Sequence, residues 1–138
     1  FKTPKANKKY DFSYSGLKTA VINWANSANM KGETYKIEDV AKSFQDTAIN
    51  VIVDKTFEAA NEYNVKMVCL AGGVSANKAL REAIVNEFKD TGVEVSIPPF
   101  KYCTDNAAMI GRVAVEQFKQ QDFTAIDNLD VQTRVKEY

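Results

Sequence analysis

The stretch Val68-Cys-Leu-Ala-Gly-Gly-Val-Ser-Ala-Asn77 constrains this chain most. A short apolar run from Met67 to Ala71 ends in two glycines, and a small-residue turn then leads into a helix that begins near Ser75 or Asn77. This pattern predicts a strand, a Gly-Gly turn and a helix in succession. Two readings follow from it. Glycines let a ligand approach the main chain, and a helix N-terminus offers free N–H groups to phosphate. Alternatively, the glycines serve only the sterics of a tight strand-to-helix turn. Asn77 at the mouth can both donate and accept hydrogen bonds.

A second junction resembles the first. Val93-Glu-Val-Ser-Ile97 alternates as a strand does and stops at Pro98-Pro99. Phe100-Lys-Tyr-Cys-Thr-Asp-Asn-Ala-Ala-Met109 then leads into another helix. Thr104 or Asp105 is an N-cap in one reading. In the other, Asp105 is a carboxylate at the C-terminal edge of a parallel sheet, where α/β proteins place ligands.

The rest of the chain supports an α/β fold. Leu17, Ala20, Val21, Trp24 and Ala28 make one apolar face of a helix after the Ser13–Gly16 turn, with Trp24 expected in the core. A long helix is predicted from Ile37 to Tyr63, with two apolar stripes and with Glu38 and Asp39 suiting its dipole. Strand 66–71, helix 75–90, strand 93–97 and helix 105–120 follow, with an irregular tail. Cys69 reads as a small core residue. Leu80, Ala83, Ile84 and Phe88 form the buried face of the third helix, which Gly92 stops. Ala107, Ile110, Gly111, Ala114 and Phe118 do the same for the last helix, and Gly111 marks a close helix contact. The order implies two parallel strands with a right-handed crossover. Two strands are few for a stable sheet, so others come from absent residues or from 10–14.

Four segments together resemble one family: Asp11-Phe-Ser-Tyr-Ser-Gly-Leu-Lys-Thr-Ala-Val21, Ser43-Phe-Gln45, Leu70-Ala-Gly-Gly-Val-Ser-Ala-Asn77 and Cys103-Thr-Asp-Asn-Ala-Ala-Met-Ile110. They occur in the order and spacing of the TsaD family, formerly annotated Gcp or O-sialoglycoprotein endopeptidase. The resemblance implies the actin/sugar kinase/Hsp70 (ASKHA) fold. It also implies transfer of a threonylcarbamoyl group from threonylcarbamoyl-AMP to N6 of adenosine 37 in tRNAs that read ANN codons. Members of the family are more than twice as long as this chain, which is similar to their C-terminal portion. The chain also starts at Phe1 rather than Met. The expected organisation is therefore one C-terminal lobe over 1–138. A helical insertion spans about 12–64, a βαβα nucleotide-binding part spans about 65–138, and the N-terminal lobe is absent.

The resemblance assigns Gly72, Gly73 and Asn77 to nucleotide binding and Asp105 to a divalent metal, iron(II) or zinc. Two histidines of the family's His-x-x-x-His pair complete that metal site, and this chain has no histidine. Asn106 either orients the ligand or belongs only to the first helical turn. No catalytic residue is assigned, and the isolated chain is expected to be inactive. Implied partners are ATP or threonylcarbamoyl-AMP, tRNA, and TsaB- and TsaE-type proteins. The alternative is a nucleotide-binding ASKHA scaffold or regulatory paralogue without catalysis. A sugar or acetate kinase fits Asp11–Val21 poorly.

Composition limits other classes. Hydrophobic residues make up 45% of the chain and charged residues 26%, as in soluble globular domains. No apolar run reaches the ~20 residues of a membrane span. Two cysteines without a C-x-x-C pair suggest a reduced cytoplasm rather than a disulfide or zinc scaffold. Without histidine, Ser13 and Ser15 have no Ser–His pair, and H-E-x-x-H protease chemistry is excluded. Charges balance at 18 of each sign, although a dedicated tRNA-binding module is usually basic. Lys2, Lys5, Lys8 and Lys9 form a local excess, read either as a solvated arm or as a phosphate-contacting strap. Asp46 and Asp54 read as ordinary residues of the long helix.

Overall fold

The computed structural model describes Phe1 and residues 8–130. Its longest element is a helix over Ile37–Glu62, and the sequence shows why. No glycine or proline falls between Glu33 and Ala71, and Glu38 and Asp39 occupy the first turn. The helix ends in a left-handed Asn64 at φ 48°. Asn64 N–H donates to the Asn61 carbonyl and Val65 N–H to the Ala60 carbonyl, which satisfies the last carbonyls of the helix. The preceding helix, Tyr14–Met30, ends in the same way with Gly32 at φ 68°. These two helices are α1 (Tyr14–Met30) and α2 (Ile37–Glu62). They are followed by β1 (Met67–Cys69), α3 (Lys78–Glu87), β2 (Glu94–Ser96) and α4 (Ala107–Gln120). Single 3-10 turns lie at Gly73–Ala76, Phe100–Tyr102 and Ile126–Asn128.

The two strands pair in parallel, with Met67 opposite Glu94, Val68 opposite Val95 and Cys69 opposite Ser96. α3 is the crossover between them. The core forms where α2 and α3 cover one face of this sheet. Ile49, Val53 and Ala60 of α2 meet Leu80, Ile84 and Phe88, and Val68 and Val95 pack against them. The rings of Phe57 and Phe88 lie 5.5 Å apart. Each large aliphatic or aromatic side chain buried here contributes about 1.5–3 kcal/mol. On α1, Leu17 and Ala28 are buried. No described helix is long and apolar enough to cross a membrane.

The chain divides into two compact units, Phe1–Cys103 and Thr104–Tyr138. The first holds both strands and α1 to α3. The second holds α4 and the turn Ile126–Asn128, and in it Phe118 and Phe123 meet edge to face at 5.9 Å.

Several expectations need correction. Of the two expected starts for the third helix, Asn77 holds as the N-cap of α3, whereas Ser75 lies in a separate 3-10 turn over Gly73–Ala76, because Asn77 is extended at ψ 118°. Residues 10–14 form no strand, since Tyr14 already opens α1. Cys69 is exposed. Alternation along β1 turns Val68 to the helices and Met67 and Cys69 to the other, open face. Trp24 is 41% exposed. It belongs to an edge cluster, with its ring 4.9 Å from Tyr35 and 5.9 Å from Phe1, rather than to the core. In α4 no residue is buried, and Ile110 and Phe118 are 73% and 65% exposed. Among the described residues a Cβ on Gly111 would meet nothing within 4 Å, so no close contact there explains that glycine. α3 stops at Phe88, before Gly92, which lies in the turn to β2.

Candidate functional site

Because β1 and β2 are adjacent and parallel, the segments that follow them leave the sheet at the same edge. One is the Gly72–Asn77 turn and the other the Pro98–Cys103 loop. Gly72 has φ 81° and ψ 173°, a conformation open essentially to glycine alone. Its carbonyl accepts from both the Ser75 N–H (3.0 Å) and the Ser75 hydroxyl (2.6 Å). Ser75 is 2% exposed and closes the turn from inside. Gly73 differs from Gly72. Its φ lies outside the left-handed region, it is exposed, and a Cβ there would meet nothing within 4 Å. Within the described residues, nothing in backbone or packing requires glycine at 73. A cavity of about 240 Å³ lies behind the turn, lined by Val68, Cys69, Ala71, Val74, Ser75 and Leu80 among others.

Asn77 is the N-cap of α3. Its Oδ1 accepts from Leu80 N–H at 3.0 Å, and its Nδ2 donates to Gln45 Oε1 of α2 at 3.2 Å. Gln45 thus joins the α2 motif to the glycine turn. Each amide atom retains one further hydrogen-bonding position.

Arg81, which sequence reasoning missed, lies one turn beyond Asn77. Its Nε donates to the Ser75 carbonyl at 2.5 Å. Its Nη2 donates to the Pro98 carbonyl at 2.7 Å and to Cys103 Sγ at 3.0 Å. Its guanidinium sits 4.0 Å from the centre of the Phe100 ring. Cys103 is 3% exposed, and its thiol donates to the Pro99 carbonyl at 3.6 Å. The one available signal was position: a cation four residues after Asn77 lies on the same face of α3.

In the second unit, neither Thr104 nor Asp105 caps α4. Asn106 does, with Oδ1 accepting from Met109 N–H at 3.2 Å and Nδ2 donating to the Thr104 carbonyl at 2.9 Å. Asn106 is thus the N-cap of α4, and it bridges back to its own loop. The Asp105 carboxylate is exposed and has no hydrogen bond or ion pair among the described residues. It therefore fits a metal as one anionic oxygen donor. The described residues contain no cluster of three His, Cys, Asp or Glu side chains able to hold an ion.

The expected lysine strap is only partly described, since Lys2 and Lys5 lie outside the described residues. Lys9 is held to α2, pairing with Glu62 and, at 3.1 Å, with Glu58. The Tyr10 hydroxyl donates to Glu62 at 2.6 Å. Hydrogen bonds from Lys9 and then Tyr10 hold the Glu62 carboxyl below its usual range, and the same Glu62 contact raises Lys9 and Tyr10. A separate cleft of about 850 Å³ lies against α1 and the start of α2, lined by Trp24, Tyr35, Asp39 and Ser43 among others. It contains none of the glycine-turn residues. Asp46 is bound to Lys42 one turn back on α2, as an ordinary helix residue.

The sequence matches the profile of the TsaD family, tRNA N6-adenosine threonylcarbamoyltransferase, over residues 1–112. Similar proteins carry the same name. One from Halalkalibacterium halodurans is 53% identical over 118 residues, covering 86% of this chain and 34% of that protein. One from Clostridium botulinum is 47% identical over 129 residues, covering 91% and 38%. One from Fusobacterium nucleatum is 47% identical over 116 residues, covering 84% and 34%. The chain thus spans about a third of the length of these relatives. With the profile matched over most of its residues, the chain belongs to the TsaD family.

Proposed function

We propose that this chain supplies the C-terminal share of a site that transfers a threonylcarbamoyl group from threonylcarbamoyl-AMP to N6 of an adenosine in tRNA. The observation that carries the reading is the pair of loops at one sheet edge, in a chain whose relatives are named for that reaction. In the transfer, N6 attacks the carbamoyl carbon. An N–C bond forms, the C–O bond to the adenylate phosphate breaks, AMP leaves, and N6 loses a proton. Exposed main chain at Gly72 and Gly73 approaches the adenylate, and the room beside Gly73 accommodates it. Asn77 uses its remaining hydrogen-bonding positions to orient the nucleotide. Fixed turns limit the reorganisation needed to align two substrates.

Asp105 is one ligand of a divalent metal, iron(II) or zinc, completed by two histidines outside this chain. A bound metal supplies electrophilic stabilisation of negative charge. The 1–138 segment belongs to an ASKHA-type lobe, with 12–64 as its helical part and 65–138 as its nucleotide-binding part. The intact protein works with tRNA and with TsaB- and TsaE-type proteins in the cytoplasm. The test is calorimetry with ATP or an adenylate analogue on the full-length protein, together with nucleoside analysis of treated tRNA. Binding with product formation supports the reading. Binding without product favours a non-catalytic scaffold, and no binding overturns the nucleotide site.

A further inference from the structure

We infer that Arg81 is a positioning residue that latches the Gly72–Asn77 turn to the Pro98–Cys103 loop. The inference deepens the proposed nucleotide site and rests on that reading. One half-buried side chain reaches both segments: the Ser75 carbonyl inside the glycine turn, and the Pro98 carbonyl, Cys103 Sγ and Phe100 ring of the other loop. All four partners are uncharged, so an ion pair is not what places the guanidinium. A planar group with donors pointing in divergent directions fits this task, and it stacks on a ring at the same time. A lysine ammonium at the end of a flexible stem does not reproduce that set.

The geometry has a direct consequence for the turn. Ser75 is the residue whose N–H and hydroxyl both bind the Gly72 carbonyl. Arg81 holds the carbonyl of that same Ser75, so the latch fixes the conformation of Gly72-Gly73 through one intermediate residue. On the other side it holds Pro98 and Cys103. Arg81 itself is anchored by its N–H to the Asn77 carbonyl at 3.1 Å, in the first turn of α3. The latch thus sets the turn's shape without touching the ligand.

The test compares Arg81→Lys and Arg81→Ala with wild type in the full-length protein. Hydrogen exchange is followed in peptides covering 72–77 and 98–103, and ATP affinity is measured by calorimetry. We expect both loops to exchange faster in both variants while the C-terminal half of α3 is unchanged. We expect ATP Kd to rise by about tenfold in Arg81→Lys despite the retained charge. Added ethylguanidinium should restore both loop protection and ATP affinity to Arg81→Ala, because the free guanidinium can re-form the bonds to both loops. An Arg81→Lys protein with wild-type loop exchange and wild-type ATP affinity overturns the latch. So does loosening of only one loop. If wild type binds no ATP, the proposed nucleotide site fails; exchange at the two loops then still decides whether Arg81 joins them.

Discussion

Asn77 carries two structural bonds and a proposed ligand contact, and a pair of substitutions separates them. Asn77→Ala removes the cap on Leu80 N–H and the bond to Gln45. Loss of an N-cap costs about 1 kcal/mol. Loss of the half-buried amide bond to Gln45 costs about another 1 kcal/mol. Together, about 2 kcal/mol corresponds to a rise of about thirtyfold in the opening equilibrium, and so to an equal fall in exchange protection. Asn77→Ser keeps a side-chain oxygen able to cap α3 but loses the amide nitrogen, so only about the second half of that loss is expected. The assay is hydrogen exchange of α3 peptides in the full-length protein, with ATP calorimetry alongside. Protection of α3 should fall strongly in Asn77→Ala and modestly in Asn77→Ser. ATP affinity should fall in both, because the proposed contact uses the amide. Unchanged α3 protection in Asn77→Ala would refute the capping argument. Full ATP affinity in a well-protected Asn77→Ser protein would remove Asn77 from the nucleotide site.

The two glycines should respond differently. Gly72→Ala forces a side chain into φ 81° and should destabilise by about 1–3 kcal/mol, read by thermal melting. A Cβ at Gly73 meets nothing within 4 Å among the described residues, so Gly73→Val should melt within a few degrees of wild type yet bind ATP poorly. Truncating the core with Ile84→Ala should cost about 2–5 kcal/mol in denaturant unfolding, since Ile84 is 1% exposed. For Glu62, Lys9 and then Tyr10 lower its folded pKa. Its small stabilising effect is therefore present above the ordinary glutamate value of about 4.3 and is lost as pH falls through the lowered folded value. The melting difference between wild type and Glu62→Gln should be visible at neutral pH and vanish in acid. A difference that grows in acid would contradict the assigned sign.

The most legible features in the sequence were those with strong periodicity or distinctive turn chemistry. α2 was expected from Ile37 to Tyr63 and runs Ile37–Glu62, because an uninterrupted 3.6-residue pattern leaves little alternative. The buried face of α3 also follows the pattern, with Leu80, Ile84 and Phe88 all buried. Trp24, Cys69 and the apolar face of α4 depart from the sequence pattern for one physical reason. An apolar side chain states a preference for burial, but what covers it is a tertiary fact. Thr104, Asp105 and Asn106 are all good cap formers in consecutive positions, and only the backbone angles select Asn106. Arg81 was hidden because a cation on an amphipathic helix ordinarily reads as solvated. Its value lies in two main-chain carbonyls from segments distant in sequence.

The proposed function gives this chain part of a threonylcarbamoyl-transfer site, with Asp105 as its proposed metal ligand. The most direct test is Asp105→Asn in the full-length protein, measuring metal content, melting temperature and modified adenosine in tRNA. Because Asn106 caps α4 and the Asp105 carboxylate has no partner among the described residues, the melting temperature should not change. Metal content should drop, and product formation should fall by about a hundredfold or more, as when a key electrostatic group is lost. Normal metal content and normal product formation in this variant would contradict the account.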